Sequence, residues 1–136
     1  MALGEKVAEE KGKITGMSIK SIGPEGATIE FSMVSQIKGF GRTPNGRNMG
    51  TMTAVEGPNT STSTGQGMVV TEDGEMLPWH ALGVSKMVGG KSKGITLVTF
   101  STRSQKYAWM NDVLLVVATE GSADFSEFST TGYEWK

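Results

Sequence analysis

The chain has 136 residues, of which 37% are hydrophobic and 20% are charged, and its formal net charge is -1. This length and composition fit one globular domain and exclude a disordered chain, while the balanced charge argues against a nucleic-acid partner, since nucleic-acid binders normally carry a basic excess. The absence of cysteine excludes disulfides, thiolate metal sites and cysteine nucleophiles.

The N-terminal residues 1–11 predict either a short helix or an irregular tail, because Leu3, Val7 and Ala8 lie at helical spacing before Gly12. Residues 1–6 lack the apolar stretch of a secretory signal, and no segment reaches the roughly 18 apolar residues of a membrane helix. We therefore expect a cytoplasmic protein with neither a membrane nor a nucleic acid as partner.

From residue 13 onward the pattern is typical of short β-strands separated by glycine-rich turns. The predicted strands cover residues 14–22, 28–38, 48–56, 65–71, 76–85, 94–102, 110–119 and 123–135. The second strand alternates clearly, with one apolar face formed by Ile29, Phe31, Met33 and Ile37. Only Ser35 interrupts that face.

About eight strands joined by hairpin-length turns indicate an all-β fold, a single antiparallel up-and-down β-barrel, because closure removes unpaired strand edges. We expect residues 1–136 to form this one domain. A barrel of this size has an interior that is either filled by side chains or hollow enough for one small ligand. The sequence leaves both alternatives open.

His80 is the only histidine and the best single candidate for a catalytic acid or base. A solvated or packed histidine near a strand bend is the competing interpretation. One histidine without cysteine cannot build the usual structural zinc site, so we expect no metal and no cofactor. Asp112 falls inside the predicted strand 110–119, where it must be hydrogen-bonded or paired.

A ligand site in such a barrel would lie at one mouth or in the lumen. We expect it to be lined by Trp79, His80, Phe100 and Trp109, although a shift of one residue in register would turn each of these side chains outward. The nine methionines suit an adaptable apolar cavity or a subunit interface, and they equally suit ordinary filling of a core.

Several short motifs resemble those of a group of small, uncharacterised microbial proteins. They are Gly65-Gln66-Gly67, Asp73-Gly74, Trp79 followed by Gly83-Val84, Phe100-Ser101-Thr102, Met110-Asn111 and Glu134-Trp135-Lys136. The resemblance covers roughly residues 12–136 and implies a barrel similar to the allene oxide cyclase-like or calycin-like fold. It carries no catalytic residue over to this chain.

These observations favour a barrel that binds a small apolar or amphipathic ligand and that self-associates as a homo-oligomer. Two alternatives remain open. One is an isomerase- or cyclase-type enzyme that uses His80, which would require His80 to face a cavity. The other is a structural or protein-interaction barrel, which would require a contiguous apolar patch on the outer surface.

Overall fold

The computed structural model describes residues 3–136, which form eight strands. These are β1 (Leu3–Gly23), β2 (Gly26–Gly39), β3 (Gly46–Glu56), β4 (Thr60–Thr71), β5 (Met76–Val88), β6 (Lys91–Phe100), β7 (Leu114–Gly121) and β8 (Glu127–Trp135). Each strand pairs antiparallel with the next, and β8 pairs back with β1. The predicted all-β, up-and-down barrel is therefore confirmed.

The N-terminal segment is a strand, so both the short helix and the irregular tail are wrong for residues 3–11. Strand β1 pairs with β8 from Leu3 to Lys13 and with β2 from Ala8 to Gly23. Pairing on both sides overrides the helical spacing of the apolar residues, because local propensity is weaker than tertiary context. Met1 and Ala2 lie outside the described residues.

The connection between β6 and β7 also differs from the sequence-based prediction. Residues 110–112, expected to begin a strand, lie instead in the 3-10 turn Ala108–Asp112, and β7 begins at Leu114. Asp112 is exposed, so it carries no burial cost. This five-residue turn is the one helical element of residues 3–136, which contain no helix long and apolar enough to span a bilayer.

Residues 101–113 cross one end of the barrel, and we call them the plug segment. Thr102 is buried and fixes it: its Oγ1 donates to the carbonyl oxygen of Met76 at 2.7 Å, and its backbone N–H donates to Oδ1 of Asn111 at 2.7 Å. Asn111 Nδ2 donates back to the Thr102 carbonyl at 2.9 Å. These bonds tie both ends of the plug segment to each other and to β5.

A second group of polar contacts fastens the plug segment to the turn between β4 and β5. Asp73 in that turn accepts hydrogen bonds from Lys106, Thr71 and the hydroxyl of Tyr107. The Lys106 ammonium and the two hydroxyls hold the pKa of the Asp73 carboxyl well below its ordinary value. The plug segment is therefore attached through a charged carboxylate at neutral pH.

The two halves of the barrel carry different inward-facing side chains. In the half that the plug segment covers, called here the plugged half, they are large and mostly buried: Val69, Leu77, Trp79, Phe100 and Met110. In the opposite half, called the open half, four consecutive strands present small residues to the lumen: Ser63, Gly83, Ser85, Gly94, Thr96 and Thr119. The main buried cluster therefore lies in the plugged half.

Candidate functional site

The lumen contains a cavity of about 290 Å³. This volume is close to the lower end of the roughly 300–1,000 Å³ that ligand pockets usually have. Its wall is mostly apolar, and four of the methionines contribute to it: Met17, Met33, Met52 and Met110. Met49, Met76 and Met87 are exposed and do not line the cavity, and Met17 is also 54% exposed, so the methionines serve both the cavity and the outer surface.

Trp79 on β5 lies in the cavity wall, at the level where the large inward side chains of the plugged half give way to small ones. Its indole lies across Gly50 of β3 and Gly67 of β4, where a Cβ atom would come within 2.5 Å and 2.3 Å of Cζ2 of the ring. Neither position can carry a side chain without displacing the indole. The two glycines therefore make room for the ring across neighbouring strands.

Polar side chains from five strands form a cluster in this otherwise apolar wall, and Glu10 on β1 is at its centre. Glu10 Oε2 accepts hydrogen bonds from Ser35 Oγ and from Asn48 Nδ2, the latter at 2.9 Å. Glu10 Oε1 accepts one from Thr130 Oγ1 at 2.9 Å. Asn48 Oδ1 in turn accepts one from Trp79 Nε1 at 2.6 Å. We call these five residues the Glu10 network.

The network holds a carboxylate in a defined orientation beside the cavity. Ser35, Asn48 and Trp79 are all buried, so their side chains have little freedom to move. A carboxylate offers about four lone-pair positions, two on each oxygen, and Oε1 has a single partner among the described residues. Glu10 can therefore accept a further hydrogen bond from a molecule in the lumen.

The charges around the cavity have one sign. Glu10 and Glu127 are its charged lining residues, and no lysine, arginine or histidine from residues 3–136 lines it. Three or more metal-binding side chains do not converge anywhere in this part of the chain. The cavity thus offers acceptors of hydrogen bonds and negative charge to a ligand, and no cationic partner.

Phe125, in the turn between β7 and β8, lies at the mouth of the open half. It is half exposed, lines the cavity and has a φ of 60°, a left-handed conformation that is costly for a bulky residue. Asp124 supports this turn by accepting hydrogen bonds from Ser126 and Ser122, which lower its pKa to about 2. The turn therefore holds an aromatic ring at the entrance.

The structure brings together two of the four predicted site residues. Trp79 and Phe100 are cross-strand partners on β5 and β6, and both line the cavity. His80 is exposed on the outer surface, paired with Gln66 and Thr99. Trp109 packs against the core in the plugged half, with the Arg42 guanidinium 3.8 Å above its ring. His80 and Trp109 are therefore separate from the cavity wall.

Sequence reasoning missed Glu10, Asn48 and Thr130, which are far apart in the chain. Glu10 lies in the segment predicted as helix or tail, so its inward direction could not be inferred. One signal was present: Ser35, the single interruption of the apolar face of β2, is a donor to Glu10. A lone polar residue on an inward face can thus mark a lumenal network.

Comparisons with known proteins support the fold and do not identify an activity. No protein-family profile and no curated protein matches the chain. A structure of a protein of unknown function from Clostridium acetobutylicum matches with a TM-score of 0.84 at 14% identity, covering 98% of this chain and 97% of that one. A beta-barrel-like protein from Acinetobacter baumannii matches with a TM-score of 0.84 at 15% identity, covering 99% and 96%.

A more distant match is a structure described as an enzyme from Penicillium herquei. Its TM-score is 0.65 at 17% identity, and the match covers 96% of this chain and 92% of that one. At such identities the likeness concerns the fold alone. The chain therefore shares a small β-barrel with these proteins, and its expected similarity to allene oxide cyclase-like or calycin-like barrels stays a prediction.

Proposed function

We propose that the protein binds one small, mostly apolar ligand in the lumen of the barrel. The observation that carries this proposal is the cavity of about 290 Å³, whose apolar wall is interrupted by one oriented polar network. An apolar pocket with a few convergent polar groups is the usual form of a small-molecule site. A barrel selected only for stability would gain from larger side chains in place of Ser85 and Thr96.

Two threonines on opposite faces of β6 supply a matched test of lumenal binding. Thr96 lines the cavity and Thr99 is exposed outside, so Thr96→Phe fills the lumen while Thr99→Phe adds the same ring to the surface. We expect the neutral fluorescent probe N-phenyl-1-naphthylamine to bind the wild type and Thr99→Phe with one-to-one stoichiometry, and to lose binding in Thr96→Phe. Equal binding by both variants, or none by the wild type, would refute the proposal.

The alternative of an enzyme that uses His80 has no support from the lumenal cavity, because His80 lies on the outer face, in an open surface groove with Gln66 and Met68. Two carboxylates line the cavity, and Glu10 is the one that hydrogen-bond donors hold in a fixed orientation, whereas Glu127 is exposed at the mouth. An isomerase or cyclase acting on a lumenal substrate would therefore use the Glu10 carboxylate, with the Glu10 network setting its position. Ligand binding is the premise of both versions.

We also propose that two copies associate through the outer face of β5, β6 and β7. Leu82 pairs with Leu97 and Val84 pairs with Ile95, and all four are exposed, by 42% to 60%. The apolar surface continues to the outward positions Val116 and Ala118 of β7. Such a contiguous patch is typical of an interface.

The border of this patch favours a second copy as its occupant. Lys86, Lys93 and Glu120 lie side by side there, and Glu120 also pairs with Lys91 of its own chain at 3.0 Å. A two-fold axis can therefore bring charges of both signs from each protomer together. Sedimentation velocity should show a dimer for the wild type and a monomer for Leu97→Lys. A monomeric wild type at all accessible concentrations would refute this association.

A further inference from the structure

We propose that the lumen selects an apolar molecule whose polar end is a protonated amine, and that Glu10 binds this end. The inference rests on the proposed lumenal function and names the class of ligand. Glu10 is held by donors from three strands, Ser35, Asn48 and Thr130, and keeps an acceptor position on Oε1. A ligand group placed there must donate a hydrogen bond.

The charge of the wall argues for a cation. Glu10 is the charged side chain that faces the lumen, and the described residues place no basic side chain on the cavity. Glu127 also lines the cavity but is exposed at the mouth, where its partner in the strand pairing is Lys13. A fatty-acid carboxylate in this lumen would meet like charge with no cationic partner in a partly desolvated site, which is strongly unfavourable. A protonated amine would meet opposite charge there.

The aromatic rings of the wall are consistent with the same ligand. Phe128 packs over Gly12, two positions along β1 from Glu10, and its Cζ lies 2.5 Å from where a Cβ of Gly12 would be. Phe31 and Phe100 line the same cavity. Aromatic faces attract ammonium groups and also pack against alkyl chains, so they suit both ends of an amphipathic amine.

Three probes of ten carbons each, which differ in the polar end, test lumenal binding and charge preference separately. Decanol tests whether the lumen binds an alkyl chain, and decylamine and decanoic acid test its preference for charge. Binding is measured by calorimetry below the micelle concentration of each probe. We expect decylamine to bind at least about tenfold more tightly than decanoic acid, the difference that one charged hydrogen bond provides.

Neighbouring residues of β1 supply the matched variants. Glu10 faces the lumen, whereas Glu9 lies on the outer surface beside Lys6, 2.7 Å away. Glu10→Gln removes the lumenal charge and keeps an acceptor oxygen, and it should reduce decylamine affinity about tenfold while leaving decanol binding unchanged. Glu9→Gln removes one charge from the surface and should leave all three affinities unchanged.

The outcomes are distinguishable. If decanoic acid binds as tightly as decylamine to the wild type, the amine preference is wrong while lumenal binding stands, and this comparison needs no variant to fold. If Glu9→Gln weakens decylamine as much as Glu10→Gln does, the amine binds the outer surface and the assignment to Glu10 is wrong. If none of the three probes binds, the proposed lumenal function itself fails.

Discussion

The plugged and open halves of the barrel share the same eight strands and differ in the size of the side chains that point inward. Between Leu77 and Ser85 on β5, the inward series runs from large to small, and the neighbouring strands follow the same gradient. The main buried cluster lies where the plug segment closes the barrel, and the small inward side chains of the open half leave space in the cavity. A small barrel can thus be both stable and hollow when the two tasks are divided along its axis.

The largest expected effect on stability comes from disrupting the packing of Trp79 against Gly67, between the two halves. In Gly67→Ala the added Cβ would lie 2.3 Å from Cζ2 of Trp79 and 2.4 Å from the backbone oxygen of Met49. Displacing a packed indole and backbone should cost about 3 kcal/mol of unfolding free energy. Urea denaturation followed by circular dichroism measures this cost.

Gly16→Ala is the control for that substitution, because no atom lies within 4 Å of its added Cβ. It should change the free energy of unfolding by no more than about 0.5 kcal/mol, as surface substitutions usually do. Equal stabilities of the two alanine variants would show that Trp79 does not rest on Gly67.

A smaller loss is expected when Trp79 is replaced by phenylalanine, which keeps a smaller aromatic ring and loses the indole N–H donor. Trp79→Phe leaves Oδ1 of buried Asn48 without its partner, which should cost about 1–3 kcal/mol. Trp135→Phe, at a residue 39% exposed, should cost less than about 0.5 kcal/mol. Chemical denaturation of both variants tests the difference, and similar costs would mean that the Asn48 bond contributes nothing.

Low pH should weaken the attachment of the plug segment to the barrel, because it protonates Asp73. Its pKa in the folded protein is held below the ordinary value of about 3.9, so the attachment stabilises the fold above that pH and is lost as the pH falls through the folded pKa. The melting temperature of the wild type should exceed that of Asp73→Asn at pH 7, and the gap should close below about pH 4. A gap that is constant with pH would exclude this contribution.

Amide hydrogen exchange can show which half of the barrel loosens when a supporting carboxylate is removed. Asp73→Asn should raise exchange in the plug segment, whereas Asp124→Asn should raise it in the turn of residues 122–126, because each carboxylate holds a different end of the barrel. Faster exchange at both ends in either variant would show that the two halves open together rather than separately.

The strands of the barrel could be predicted from the sequence because they depend on local alternation, whereas the 3-10 turn in the plug segment could not. The apolar face of β2 points inward as its period-2 pattern implies, and Trp79 and Phe100 both reach the lumen. The open half depends on register between strands. Inward positions such as Ser85 and Gly94 are indistinguishable from turn residues until pairing places them on one wall.

The Glu10 network was unpredictable for a related reason. Its members come from β1, β2, β3, β5 and β8, and the closure of β8 onto β1 brings Thr130 to Glu10 across 120 positions of sequence. The helical spacing of residues near Glu10 also concealed a strand. Local patterns report which residues face inward, and the closure of the barrel decides which inward residues meet.

The smallest expected change in stability concerns the mouth of the open half. Phe125→Gly relieves the left-handed backbone at φ 60°, and this gain of about 1 kcal/mol is roughly offset by the greater freedom of glycine in the unfolded chain. Phe125→Ala also removes the ring but keeps the strain, so it should be less stable than Phe125→Gly by about 1 kcal/mol. Thermal denaturation compares them.

Release of the fluorescent probe completes this comparison of the halves. Both substitutions remove the aromatic side chain from the entrance, so both should release N-phenyl-1-naphthylamine faster than the wild type in stopped-flow experiments, whatever their stability. Asp73→Asn, at the opposite end, should leave the release rate unchanged if ligands pass through the open mouth. Faster release from Asp73→Asn alone would place the entrance at the plugged end, because the plug segment would then be the part that moves.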